Sequence, residues 1–409
     1  MAMPLDGIRV LDLSVYQQGP MAASMLADMG ADVIKIEPPD TGDLGRVNGD
    51  AYFNHLNRNK RGISLDLKNE SGREAFLRLA ETADIFHNNL RPGVLDRLNL
   101  TYPVLAARNP RIIVNNATGW GHLGPDAEAL LGSFDGLAQA RGGLYSINAT
   151  VDAPAHGVPV PLADQVGALV SAYGMLVALM ERERSGIGQE VNSSLYGSQL
   201  WMQGFGITNA MWTGKNPALR NRKSSPRTGV YDTNDGLLAL QGGAPDRWWP
   251  DFCQVMGFPD LAEGVYSKQA LDPAWCERTY DRVAEVFATK SRDEWMAILS
   301  PRFHVQPVRT YLEVAKDPQA WANGYLVDVD EGGGKSRPSV GVPVHLSRTP
   351  GSIRHFAPEI GEHNEEVLIE SGFTRDEVAQ LFKSGAFGAR TPKAEQVGTP
   401  AGTAGGGGA

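Results

Sequence analysis

The chain has 409 residues, a formal net charge of −9, 42 % hydrophobic residues and 21 % charged residues. That length supports a sizeable core divided over two or three domains. The acidic balance argues against a bare binder of nucleic acid or anionic membrane, which needs a net basic face.

Cys253 and Cys276 form no CxxC pair and no Cys/His cluster, so neither a disulfide framework nor a metal site is expected. The first residues reach a strand-like segment without a charged-then-apolar leader. No uninterrupted apolar run approaches the ~20 residues that span a bilayer. These features predict a cytoplasmic protein without nucleic-acid or membrane partners.

In chain order, "IRVLDLS" reads as a strand, "VYQQGP" (15–20) as a turn, "MAASMLADMG" as an amphipathic helix and "ADVIKIE" as a second strand. "ISLDLK", "ADIFHNN" and "RIIVNNATG" read as further strands, separated by helical stretches such as "SGREAFLRLAET" and "YPVLAARN". This alternation predicts a mostly parallel sheet covered on both faces, with ligands at the strands' carboxyl ends. From Asp164 a long, broadly apolar and largely buried helix runs to Gly186, and "QEVNSSLYGSQLWMQGFG" continues as strand and helix. "GVYDT" and "LLALQ" around "NDG" read as a hairpin that opens a second region to about 325. "IGEHNEEVLIESGFTRDEVAQLFKSG" is helical, with His363 near a helix start, and the Gly/Ala/Thr/Pro-rich tail from about Thr391 is expected to be disordered.

The first turn carries Gly19 alone of the three glycines of a G-x-G-x-x-G fingerprint, so dinucleotide binding is disfavoured despite Glu37 further on. Its helix N-terminus still offers N–H groups to an anion. Asp164, ahead of the long helix, reads as an N-cap. The same helix dipole would hold it ionised, as a covalent nucleophile requires. Arg46, Lys60, Arg61, Lys68, Arg91 and Arg97 read as solvated surface, although "LDLK" and "NNLRPGV" follow strands at the ligand edge. Met202, Phe205, Met211 and Trp212 read as helix core in preference to an acyl pocket.

Seven collinear segments, among them "QGPMAASMLADMGADVIKIEPPDTGD", "NRNKRGISLDLKNESGRE", "NNLRPGVLDRLNLTY" and "ADQVGALVSAYGMLVALMERERSGIGQEV", resemble the class III CoA-transferases over about residues 5–388. The resemblance implies an α/β fold. In it a Rossmann-like large domain (1–195) leads through a helical linker (196–228) to a smaller α+β domain (229–325). A C-terminal segment (326–388) returns to the large domain, and 389–409 form the tail. It further implies an interlocked homodimer, with acyl-CoA and a carboxylic acid as substrates and no tightly bound cofactor. Residue by residue, Asp164 matches the catalytic aspartate. Gln17 and Gln18 match the first turn, and Leu65, Asp66, Leu67, Lys68, Asn89, Leu90, Arg91 and Arg97 match CoA-binding segments. Asp135 matches an acidic active-site position, and Gly242 and Gly243 a shortened glycine loop. "NNL" stands where the family commonly has "ENF", and Pro38 where some members have a basic residue. An α-methylacyl-CoA racemase of the same superfamily is disfavoured, since Ser133-Phe134-Asp135 replaces its "GHD" and phenylalanine moves no proton. A non-catalytic acyl-CoA-binding protein would predict no chemistry at Asp164.

Overall fold

The computed structural model describes residues 2–388; the tail expected to be disordered lies outside them. The first half alternates β1 (Arg9–Leu13), α1 (Gln18–Asp28), β2 (Asp32–Glu37), α2 (Asp50–Asn57), β3 (Lys60–Ser64), α3 (Glu70–Ala80), β4 (Ile85–Asn88), α4 (Val94–Leu98), α5 (Tyr102–Arg108) and β5 (Ile113–Thr118). Three short helices, α6 (Pro125–Glu128), α7 (Asp135–Arg141) and α8 (Leu144–Asn148), lead to α9 (Leu162–Ser185) and β6 (Glu190–Ser194). β1 to β6 form one parallel sheet in the order β3-β2-β1-β4-β5-β6. The order reverses between β1 and β4, and in such sheets the crevice beyond that point receives the ligand.

Strand alternation divides the apolar residues between two faces. Val10, Val33, Ile85 and Ile113 meet Ala22, Leu26, Ala168 and Met175 of α1 and α9. Leu11, Ile34, Ile63 and Phe86 meet Phe76 of α3 and Leu105 of α5. After α10 (Leu195–Met202) and α11 (Gly204–Thr213) a second sheet follows, β7 (Thr228–Asp232), β8 (Leu237–Gln241) and β9 (His304–Pro307), all antiparallel. Its aromatic core, with Tyr231, Trp249, Phe252 and Phe287, is closed by α12 (Pro245–Met256), α13 (Tyr266–Gln269), α14 (Pro273–Phe287) and α15 (Arg292–Leu299).

α16 (Tyr311–Val314), α17 (Pro318–Ala322) and the hairpin β10 (Leu326–Gly332) and β11 (Lys335–Val340) precede α18 (Asn364–Glu370) and α19 (Arg375–Lys383). Val367, Leu368 and Val378 of α18 and α19 join the core of the six-stranded sheet. The chain also seals edge strand β3. Gly62 N–H donates to His363 Nδ1 at 3.1 Å, Ser64 N–H to Asn364 Oδ1 at 2.8 Å, and His363 N–H to the Gly62 carbonyl at 2.9 Å. His363 is the N-cap residue of α18.

Four expectations need correction. "ISLDLK" is a strand only to Ser64, and Leu65–Lys68 form the loop into α3. α9 starts at Leu162 with Pro161 as N-cap, so Asp164 is its third residue and not its cap. α9 is not largely buried; its 24 residues suffice by length and composition to cross a membrane, while its uninterrupted apolar run stays short of the ~20 that span a bilayer. Only one face of it is buried, and Leu169, Tyr173, Val177 and Met180 stand exposed on the other. Phe205, Met211 and Trp212 are not core in this chain: Phe205 is 91 % and Trp212 84 % exposed.

Candidate functional site

The site forms where the turn after β1 meets the start of α9. Tyr16, in that turn, has a φ of 61°, a left-handed conformation that side-chain-bearing residues rarely adopt. Asp43 Oδ1 accepts from its N–H at 2.9 Å. Asn89, in the turn after β4, grips Val15 twice, accepting from its N–H and donating to its carbonyl, each at 2.8 Å. α1 then opens at Gln18. Pro20 sits in its first turn, where a missing N–H costs nothing. Among the described residues the Gln18 and Gly19 backbone N–H groups and Gln18 Nε2 have no acceptor. A Cβ on Gly167 would lie 2.8 Å from Gln18 Nε2, so glycine there lets α9 approach α1.

Asp164 comes from the first turn of α9. Asp135, the first residue of α7, caps that helix from outside: its Oδ1 accepts from Ala163 N–H at 2.6 Å and Asp164 N–H at 3.1 Å. Its Oδ2 accepts from Gln139 Nε2 at 2.6 Å. The Asp164 carboxyl makes no hydrogen bond to another described residue. Burial, and next the charge of Asp135, push it up to about 7. The helix dipole alone predicted an ionised group; desolvation outweighs it.

A cavity of about 390 Å³ surrounds this carboxyl, lined by Tyr16, Gln17, Gln18, Asn89, Leu90, Arg91, Phe134 and neighbouring backbone. A second cleft of about 500 Å³ shares Leu90, Arg91, Pro92 and Thr118 with it. Of the predicted CoA contacts, Gln17, Gln18, Asn89, Leu90 and Arg91 therefore gather around Asp164. Leu65 and Leu67 are core residues, and Asp66 accepts from Lys68 N–H at 2.9 Å. Lys68 and Arg97 are exposed and line neither cavity. Gly242 and Gly243 follow β8, their carbonyls held by Arg227 at 3.2 and 2.9 Å, and they also line neither cavity.

The basic set divides cleanly. Arg46 pairs with Glu37; Lys60 pairs with Asp12; Arg61 pairs with Asp32, Glu366 and Glu370. Burial pushes Lys60 down to about 8 against the pull of Asp12. Lys68, Arg91 and Arg97 make no ion pair with another described residue. Asp43 and Lys35, buried beneath the turn, were not singled out from sequence. Only the charged residues embedded in "VIKIEPPDTGD" could have signalled them.

A doubly wound parallel sheet whose switch-point cavity holds a carboxyl unpaired among the described residues is the frame of an α/β protein with a candidate active site. Residues 5–364 match the model of CoA-transferase family III. A succinyl-CoA:mesaconate CoA-transferase of Haloarcula hispanica is 34 % identical over 90 % of this chain and 96 % of its own. A formyl-CoA:oxalate CoA-transferase of Afipia carboxidovorans is 31 % identical over 95 % and 98 %. A succinate–glutarate CoA-transferase of Agrobacterium fabrum is 31 % identical over 90 % and 95 %. A CAIB/BAIF family protein from Brucella suis superposes with a TM-score of 0.81 at 28 % identity, covering 91 % of this chain and all of that one. The chain belongs to CoA-transferase family III and is a CoA-transferase, moving CoA between an acyl-CoA and an acid.

Proposed function

We propose that Asp164 is the covalent nucleophile of this transfer. The observation that carries the reading is that, among the described residues, Asp164 supplies the one carboxyl lining its cavity, without a hydrogen-bond partner. In ionised form it attacks the donor thioester carbonyl. The C–S bond breaks, CoA leaves as thiolate, and a mixed anhydride remains. The thiolate attacks the aspartyl carbonyl, releasing the donor acid and leaving an aspartyl-CoA thioester. The acceptor carboxylate displaces CoA from it, and the thiolate then takes the acceptor acyl group from the new anhydride, restoring Asp164. Splitting one difficult exchange into such steps is the advantage of covalent catalysis. The Gln18 and Gly19 N–H groups are the oxyanion donors in this reading, and Arg91 is a cation for CoA phosphate or substrate carboxylate.

Among the described residues no histidine lines this cavity, which favours acyl transfer over the proton abstraction of a racemase. A cavity of about 390 Å³ suits the small acids in the relatives' names, and we propose short dicarboxylic acids as substrates, with succinyl-CoA as donor. Acyl-CoA enters as substrate with no tightly bound cofactor. The reading includes a cytoplasmic homodimer, a Rossmann-like large domain completed by the C-terminal segment, and a smaller domain between.

Asp164→Asn tests the assignment. The amide keeps the shape but cannot form the anhydride, so transfer should fall by several orders of magnitude while acyl-CoA binding is retained. In the wild type, hydroxylamine or borohydride after succinyl-CoA should modify the peptide carrying Asp164. A label on another residue would refute the mechanism.

A further inference from the structure

We propose that the buried Lys35–Asp43 pair is a positioning device for the reaction, fixing the left-handed Tyr16 and thereby the direction of the N–H groups that follow it. Lys35 is 0 % and Asp43 1 % exposed. Their charged atoms lie 2.8 Å apart. Burial alone would drive the Lys35 ammonium toward neutrality; Asp43, Asp12 and Glu37 reverse this and hold it above its ordinary value.

Both partners reach past each other to the same turn. Lys35 Nζ donates to the Ser14 carbonyl at 3.0 Å, and Asp43 Oδ1 accepts from Tyr16 N–H at 2.9 Å and Gly45 N–H at 2.8 Å. Glu37 steadies Asp43 by accepting from its N–H at 2.8 Å. With Asn89 on Val15, three consecutive residues are held by side chains from β2, the loop after it and the turn after β4. Beyond Gln17, Gln18 and Gly19 carry backbone N–H groups without acceptors among the described residues. A buried ion pair gains little over an apolar pair of the same volume. What an apolar pair lacks is direction: it can neither donate to Ser14 nor accept from Tyr16. Oxyanion donors act through being fixed before charge develops, so a loosened Tyr16 should lower turnover more than substrate affinity.

The inference builds on Gln18 and Gly19 serving as oxyanion donors, and its test separates the two claims. Two variants are compared, Asp43→Asn and the apolar pair Lys35→Met/Asp43→Leu, the second retaining core volume should the first fold poorly. Hydrogen exchange in the peptide spanning residues 13–20 requires no substrate. It should accelerate by about tenfold or more, confined to that peptide. Exchange of labelled succinate into succinyl-CoA should lose about 10–100-fold in kcat, with KM for succinyl-CoA within about threefold; losing a donor outright costs about 10²–10³. Glycine adopts a positive φ without support. In a Tyr16→Gly background the kcat penalty of Asp43→Asn should therefore shrink to below about threefold. Unchanged exchange at residues 13–20, acceleration across the whole sheet, or an equal kcat penalty in both backgrounds overturns the proposal. Local exchange loosened as expected with kcat unaltered would leave the strut standing and remove the oxyanion role of the turn.

Discussion

Asp164 shows how environment overrides local position. A carboxyl in the first turn of a helix is ordinarily held ionised, yet burial and Asp135 push this one up to about 7. In the proposed mechanism the nucleophile is the ionised form, so the rate should rise with pH and level off above about 7. Asp135→Asn removes the neighbouring charge and should move that limb to lower pH; a pH–rate profile for each enzyme reads the difference. Stability moves the other way. Because the folded protein binds this proton more tightly than the unfolded chain, the contribution is full below about 3.8 and lost as pH rises through about 7. Asp164→Asn should match the wild type at pH 4 and exceed it at pH 8 by roughly 2–4 kcal/mol, measured by urea unfolding. The family motif made Asp164 legible in the sequence. Its proton affinity was not, because the groups that desolvate it arrive from β1, β4 and α7.

At the scale of elements, the apolar runs of β1, β2, β4 and β5 announced the sheet because alternation and burial coincide in them. β3 was read too far downstream for a physical reason. Leu65 and Leu67 are buried beneath the C-terminal segment, where Asp66 N–H donates to the Ala386 carbonyl at 2.8 Å. Their apolarity reports a tertiary contact and not strand pairing. The same shift recasts the expected CoA contacts. Asn89 has both ends of its amide committed to Val15, whereas Arg91 lines both cavities without an ion pair among the described residues. Arg91→Ala should weaken CoA binding by about 1.5–3 kcal/mol, the loss of a charge-assisted bond. Arg97→Ala and Lys68→Ala, outside both linings, should weaken it less. Calorimetric titration with CoA ranks the three.

At the scale of the molecule, the apolar surface left bare by α9, α10 and α11 is the strongest argument for a partner copy. Tyr173, Met180, Trp201, Phe205 and Trp212 are all more than half exposed, and surfaces of that kind mark interaction sites. Sequence periodicity called for burial there without specifying in which chain, so the core assignment failed. Sedimentation should find a dimer that persists at nanomolar concentration, and a folded monomer under those conditions would count against an interlocked assembly.

The seal of β3 by residues 363 and 364 carries a consequence for how the protein is made. The bond between Ser64 and Asn364 spans 300 positions of chain. At ribosomal speeds of about 5–20 residues per second, roughly 15–60 s pass between synthesis of its two ends. Throughout that interval the nascent β3 edge lacks its cover, and unpaired strand edges invite pairing with other chains. Conditions that slow elongation or crowd ribosomes on one message should therefore raise the insoluble fraction of newly made protein, even though the finished enzyme buries that edge.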